Sequence, residues 1–552
     1  MPRAFGPIRV ISYESDTIVD AMRNQDHKFI KGALTLTIAG FVVKAIGALY
    51  RIFLMRVLGS EGMGLYQMAY PIYAILLTAS SAGLNVAVSK AVAERWALGR
   101  KHDARAAFGV SMALMVVVGL IGSLALYGLR DFIAVNMAKD PRAAVSIAAL
   151  SPALFFASVL SALRGWFQGI EEMTVPAVSQ VMEQVGRLAT MFILARLLMP
   201  KGLEYAAAGA TFGAVAGAAL GVIYAWAAYR SHLGRERFRE ARERRRMAAS
   251  GVKQRPSAPE PWRRALRAIL KVAVPISLAS AVFGLTELVD LGLVPGRLHA
   301  IGIPTEEATT LYGQLGAALA LINLATVFTG ALQMAIVPSV TAAVTLKDTA
   351  SVKRRINRAL TITLALGLPA ALGLFVLADP IPALLYDEPN VGPILRLAAP
   401  SILFLAIQQV TAGVLQGIGK ITTPLWNLMV AIIVKAALTY LLVGLPAFGV
   451  RGAAIATTAY FGVAAILNLL AILRSQGRVV DGVATVKLAM AGGGMSVVAY
   501  AVYSFATAVV GFKLAAVAAI GAGAVAYGVL AVLFKAIDLG ELKSIIGKGD
   551  AL

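Results

Sequence analysis

The chain has 552 residues, 59% hydrophobic and 14% charged, with a mean hydropathy of +0.76, a composition that excludes a soluble globular protein and marks a polytopic membrane protein. Lys and Arg outnumber Asp and Glu by 51 to 29, a net charge of +22 that the cationic bias of cytoplasmic loops accounts for without nucleic acid. With no cysteine, disulfides and thiolate chemistry are excluded, and His27, His102, His232 and His299 are too scattered to form a metal or catalytic centre.

Residues 1–32 contain scattered acids and no unbroken apolar core, so they read as a cytoplasmic tail rather than a signal peptide. Apolar segments follow at about 33–55, 66–91, 107–129, 143–165, 176–199 and 206–229, six crossings that make up a first lobe over 33–229. The interval 230–267 is basic, places Glu236 and Glu240 among arginines, and contains "RPSAPEP", which must break any helix that enters it. It is expected to lie against anionic lipid headgroups. A second lobe over 268–473 holds segments at about 268–295, 309–338, 357–379, 393–418, 423–446 and 451–473. Two further segments, about 485–508 and 511–534, fall in 474–535, and 536–552 forms a second cytoplasmic tail.

Fourteen crossings place both termini on one side. Arg95, Arg100, Lys101 and Arg105 fall in one loop, and Lys347, Lys353, Arg354, Arg355 and Arg358 in another of the same parity. Those loops are predicted cytoplasmic, with the chain in the plasma membrane. Trp96, Trp166 and Trp426 stand near the same helix ends, where an interfacial aromatic belt would place them.

The two lobes repeat each other. "QGIEEMTVP" from Gln168 and "QGIGKITTP" from Gln416 have the same spacing to Pro176 and Pro424 and then to Arg187 and Lys435, at an offset of 248. Weaker echoes pair Gly64 with Thr310 and Ser89 with Ser339, at offsets of 246 and 250. Parallel duplication of six crossings predicts lobes related by an axis along the membrane normal around a central cavity, as in transporters that alternate access. Prolines at 71, 152, 275, 338, 369 and 400 fall where they can kink these helices.

Within the first segment, Lys44 and Arg51 are seven residues apart and share one helix face. A charge at bilayer depth costs roughly 2.5–3.5 kcal/mol on insertion scales, so this stripe is expected to face a cavity, whereas Arg56 at the helix end can snorkel to the interface. The seventh segment carries Glu287 and Asp290, three apart, and ends at Arg297. An offset of 246 sets Asp290 opposite Lys44, so the acids are candidates for an interlobe lock or a cation-coupling site, with structural pairing of Lys44 and Asp290 the competing reading. Glu183 and Arg187, at i and i+4, read as a self-contained pair. Gln408, Gln409, Gln416 and Asn427 add neutral hydrogen-bonding groups near Lys435.

The stretches "GALYRIFLMRVLGSEGMGLYQMAYPIYAILLTASSAGLNVAVSKAVAE", "RGWFQGIEEMTVPAVSQVMEQVGRL", "LVDLGLVPGRL", "MAIVPSVTAAV" and "GVLQGIGKITTPLWNLMVAIIVKAALTY" resemble the stage V sporulation protein B branch of polysaccharide exporters, from about residue 29 to about 535. That branch shares a superfamily with the MurJ-type lipid II flippases, the O-antigen flippases and the MATE multidrug exporters. The resemblance implies an all-α fold of two six-helix lobes around a V-shaped cavity, plus two C-terminal helices, and flipping of an undecaprenyl-pyrophosphate-linked saccharide. In the flippases, first-helix cations line the cavity and are held to bind the pyrophosphate. That pattern matches Lys44 to Gly47, reaches Arg51 with a one-residue shift, and makes Arg297 a counterpart of a seventh-helix cation. A cavity arginine of the flippases' second helix has no counterpart in "ILLTASSAGLNVAVSK".

The resulting expectation is a monomeric, non-enzymatic flippase for lipid II or a related precursor. Lys44, Arg51 and Arg297 are its pyrophosphate ligands, and Glu287 or Asp290 its link to H⁺, Na⁺ or the membrane potential. Glu183, Arg187, Gln416 and Lys435 are secondary cavity residues, with neither metal nor organic cofactor expected. A cation-coupled multidrug exporter of the same architecture is the alternative, disfavoured by the first-helix cations. A membrane transferase would need an acid or histidine cluster, which Glu171 and Glu172 only approach.

Overall fold

The computed structural model describes residues 12–249, 261–477, 479 and 482–536; the side chains of 12–38, 41, 44, 45, 48, 49, 79–82, 243–249, 278, 279, 283 and 327 lie outside that description. Backbone polar groups cannot be left unpaired in hydrocarbon, and the described chain answers with helices throughout. The first half comprises α1 (Ser12–Ala97), α2 (Lys101–Gly128), α3 (Arg130–Phe132), α4 (Ala143–Leu150), α5 (Ala153–Gly169), α6 (Thr174–Leu198) and α7 (Leu203–Ala249). The second comprises α8 (Trp262–Ala300), α9 (Thr305–Ala325), α10 (Val327–Thr345), α11 (Thr349–Val376), α12 (Pro380–Tyr386), α13 (Gly392–Ala398), α14 (Ser401–Gly417), α15 (Thr423–Val443) and α16 (Val450–Gln476). A final α17 (Gly482–Leu533) follows.

Among the described residues, 11 helices are long and apolar enough to cross a membrane, or 12 when the pair bent by 47° at α13–α14 counts as one. Two helices contain a break: Gly59 in α1 (φ 68°) and Gly511 in α17 (φ 77°) adopt backbone conformations that a side chain would strain. The helix α6 is not among the 11, although the sequence suggests a crossing there; Glu183 and Arg187 lower its hydropathy. The structure also carries α1 back to Ser12, inside the expected tail, and extends α7 to Ala249. Glu236 and Glu240 strap that extension to α2 through Lys101 (2.7 Å) and Arg105 (2.6 Å). Pro261 then caps α8, at the end of the predicted breaker.

The duplication is visible atom by atom. Pro152 and Pro400 each close a short helix and open a long one at the 248 offset. A Cβ on Gly165 would press on Val88 and one on Gly169 on Val92; in the second half Gly413 meets Ile336 and Gly417 meets Val340, the same pairs shifted by 248. This register corrects the weaker sequence echoes. Ser89, whose carbonyl faces Gly169, corresponds to Val337 facing Gly417, and not to Ser339. Gly64 is matched by contact with Gly313, at an offset of 249, rather than with Thr310: Gly64 lies against the Thr309 carbonyl and Gly313 against the Ser60 carbonyl, a reciprocal close contact between α1 and α9.

Around that contact a single apolar core draws on both halves, from Tyr50, Leu54 and Tyr66 to Leu315, Leu377 and Ile394. Toward the helix ends that carry Arg95 and Lys101 in the first half and Lys353 in the second, the cores separate. Trp166, Phe108 and Val88 centre one, shared with the start of α8, and Ile356, Val410 and Ile472 another. Trp166 departs from the expected interfacial belt: it is fully buried, ringed by Trp96, Phe108, Tyr229 and His232. Trp426 is exposed, as a belt residue would be.

The turn after the repeated glutamine is left-handed in both halves, at Glu171 (φ 61°) and at Gly419 (φ 86°). A side chain is strained there and glycine is not. Glu171→Gly is therefore expected to stabilise the protein by about 1 kcal/mol, read as a higher unfolding midpoint in detergent. An unchanged or lower midpoint would contradict this account of the turn.

Candidate substrate cavity

Two recesses of about 340 and 170 Å³ lie between the halves and one of about 310 Å³ within the second half; all three share Asn323 and run into one another through Arg51, Glu287, Asp290, Leu319 and Gln409. The helices that form them are those whose sequences tolerate charge: α1 at Arg51, α6 at Arg187, α8 at Glu287 and Asp290, and α15 at Lys435.

The first-half wall is cationic. Arg51 lines two of the recesses beside Tyr50, Tyr66 and Tyr70. Arg187, buried, donates from Nη1 to the Tyr70 hydroxyl (2.8 Å) and stands 3.4 Å from Glu183. Glu183 is not the private partner of Arg187 that the i, i+4 spacing suggests. Arg164 on α5 holds it more closely, at 2.9 Å. One carboxylate thus serves two guanidiniums, and Arg187 Nε, buried, has no hydrogen-bond partner among the described residues.

The second-half wall is neutralised from within. Lys435, 2% exposed, donates to Asp290 Oδ2 (2.7 Å), Thr286 Oγ1 (2.9 Å) and the Thr286 carbonyl (3.1 Å). Asp290 is therefore committed to a cation of its own half, and this contact is not an interlobe lock. The side chain of Lys44, its other suggested partner, lies outside the described residues. Glu287 lines two recesses and is exposed within them. Gln416, Gln408, Gln409 and Gln333 face the 310 Å³ recess, with Tyr460. Asn427 instead bonds Asn468 on α16 (2.8 Å).

Arg297 stands apart from these groups. It donates to the Tyr440 carbonyl (3.0 Å) and stacks its guanidinium 4.1 Å from the Tyr440 ring, near the end of α15. Arg56 does more than reach an interface: it donates to the carbonyls of Leu384 and Leu385 (both 2.7 Å), closing the last turn of α12 in the other half.

Beside Arg56, Ser60 donates to Glu388 (2.9 Å) and Thr309 to Asp140 (2.7 Å), while Arg142 bridges Asp140 (2.8 Å) and Glu61 (2.6 Å). The Ser60–Glu388 and Thr309–Asp140 bonds tie the halves together at the end where the core is shared. Burial acts to raise the Asp140 carboxyl, but hydrogen bonds from Arg142 and Thr309 outweigh it and hold the group below the usual carboxylate range. The stabilisation is thus present above the unfolded value of about 3.9 and is lost as pH falls through the lower folded value.

Sequence reasoning missed Arg164, Asn323 and the tyrosines. Tyr66, Tyr70 and Tyr73 stack along α1 with centroids 5.7 and 5.6 Å apart, a signal present in "YQMAYPIY" as an i, i+4, i+7 stripe.

Two family models match the chain: the one described as a polysaccharide biosynthesis protein covers residues 29–290, and MatE covers 313–441. Stage V sporulation protein B of Bacillus subtilis is 29% identical over 429 residues, 78% of this chain and 80% of that protein. Lipid II flippase MurJ of the same organism is 24% identical over 471 residues, 82% and 83% of the respective chains. A solved structure of MurJ in an inward closed conformation superposes with a TM-score of 0.67 at 15% identity, covering 91% of this chain and 98% of that one. These matches make the chain similar to the MOP exporter superfamily, on the side of stage V sporulation protein B and MurJ. It is a multi-pass membrane protein with the MurJ-like and MATE-like fold, and the relatives whose names state a role are a lipid II flippase and a multidrug resistance transporter.

The Lys435–Asp290 pair offers a sharp energetic test. Asp290→Asn leaves a buried ammonium with no counter-charge, and removing one charge of a buried pair costs about 3–5 kcal/mol. The single variant is expected to show a clearly lowered unfolding midpoint in detergent, and adding Lys435→Met to restore most of it. Equal losses in the single and double variants would show that the pair does not govern the stability of this wall.

Proposed function

We propose that this protein translocates a polyprenyl-pyrophosphate-linked saccharide, lipid II or a related envelope precursor, across the plasma membrane by alternating access. One observation carries the reading: the cavity between the halves is cationic on one wall, with Arg51 and Arg187 facing it and only Glu183 between two arginines, while the opposite wall neutralises its own lysine. A diphosphate fits such a wall, because guanidiniums meet phosphate oxygens through paired, charge-assisted hydrogen bonds. Cationic drugs would meet repulsion there. Carboxamides along the second half supply neutral donors and acceptors for sugar hydroxyls, and the polyprenyl tail stays in lipid.

We count fourteen crossings by dividing α1 at Gly59 and α17 at Gly511 and by joining α4 to α5, α9 to α10 and α13 to α14. This yields two six-helix lobes and two C-terminal helices. Loop cations set the Lys101 and Lys353 end in the cytoplasm, with both termini. The cores separate at that end, so the headgroup enters there, and outward release requires the Arg56, Ser60–Glu388 and Asp140–Thr309 contacts to part. Asp290, whose Oδ1 is buried without a hydrogen-bond partner among the described residues, is the group we assign to coupling with H⁺, Na⁺ or the membrane potential. Anionic lipids cover the basic linker, and the working unit is a monomer.

In proteoliposomes loaded with a fluorescent polyprenyl-pyrophosphate saccharide, the Lys44→Ala/Arg51→Ala double variant is expected to lose translocation by at least about tenfold while remaining monodisperse. Normal flipping by a folded double variant would sink the cavity assignment.

A further inference from the structure

Glu287 is the one carboxylate lining the three recesses that forms none of the salt bridges among the described residues. Asp290, one turn further along α8, is bonded to Lys435. Glu287 stands exposed inside the cavity, and it is shared by the recess that holds Arg51 and the recess lined by Gln333, Gln408, Gln409 and Gln416. Arg51 and Lys435 are the cations whose charges reach it most strongly, and neither forms a salt bridge with it.

Occupation of the cavity changes this balance. While the cavity is empty, Arg51 offsets Glu287 through space. When an anionic group binds Arg51, that offset is spent, and Glu287 is left near a second negative charge in a poorly solvated site. Neutral carboxamides already supply partners for hydroxyls, so a carboxylate is not needed for them. A carboxylate held at this depth becomes favourable once the bound molecule brings a positive charge of its own.

We propose that Glu287 binds an ammonium group on the transported headgroup, so that the preferred cargo is zwitterionic: a diphosphate on the Arg51 side and a free primary amine on the Glu287 side. The inference rests on the flippase reading above and narrows its substrate class. A cation taken from solution would satisfy the same electrostatics, and the choice of probe separates the two sources.

The experiment compares a polyprenyl-diphosphate-linked amino sugar bearing a free amine with its N-acetylated counterpart, in proteoliposomes of wild type, Glu287→Gln and Glu287→Asp. Wild type is expected to move the free amine at least about tenfold faster, as a charge-assisted hydrogen bond allows. Glu287→Gln is expected to bring the amine down to the rate of the acetylated compound, and Glu287→Asp to keep a preference. Equal rates for both compounds in wild type would overturn the assignment. So would an equal slowing of both by Glu287→Gln, which would make Glu287 a site for a solution cation or proton. The wild-type comparison stands by itself if a variant does not fold. Failure of wild type to move either compound would instead contradict the flippase reading, an outcome distinct from movement without preference.

Discussion

A charge inside a membrane must be answered by a partner, by water or by cargo, because lipid answers nothing. The arrangement of this protein follows from that constraint. Its apolar surface can face acyl chains anywhere along the helices, but Arg51, Arg164, Glu183, Arg187, Glu287, Asp290 and Lys435 can only face inward. Gathering them between the halves creates a polar interior, and the same requirement decides which helix faces pack on the other half. The gate-like contacts around Arg56, Ser60 and Asp140 obey a milder form of the rule, since they sit outside the spans, where ion pairs contribute modestly and can be exchanged.

Duplication supplies the frame, and departures from it supply the chemistry. Arg187 and Lys435 occupy one position of the repeat, yet they find different partners. Arg187 shares Glu183 with Arg164, whereas the residue equivalent to Glu183 in the second half is Ala431, and Lys435 crosses to Asp290 on α8. One wall therefore keeps surplus positive charge and the other does not. An exactly symmetric pair of lobes would have no means of holding the two ends of a bipolar molecule differently.

Much of this was legible in the amino-acid sequence, and the limits have physical causes. Hydropathy marks most helices because a lipid-facing surface must be apolar, and it weakens at α6 because that helix turns Glu183 and Arg187 inward. The glutamine–glycine turns fix the repeat at 248, since their geometry tolerates few alternatives. The echoes at Gly64 and Ser89 mislead by three and two residues: matching letters do not register where backbones touch. Pairing was the least legible level. Spacing along one helix shows that Glu183 can reach Arg187, but Arg164 and the Lys435–Asp290 contact come from other helices, and no single-helix periodicity reports a neighbour. Arg297 illustrates the same gap, placed by sequence near a functional counterpart and by packing against Tyr440.

We propose that the polar interior carries a lipid-linked saccharide from one leaflet to the other. The most direct measurement replaces the essential lipid II flippase of a bacterium with this chain under depletion and quantifies lipid II exposed on the outer leaflet. The account predicts that outer-leaflet lipid II and growth are restored by the wild-type chain. A chain that is expressed, inserted and stable while outer-leaflet lipid II stays at the depleted level would contradict the assignment of lipid II as cargo.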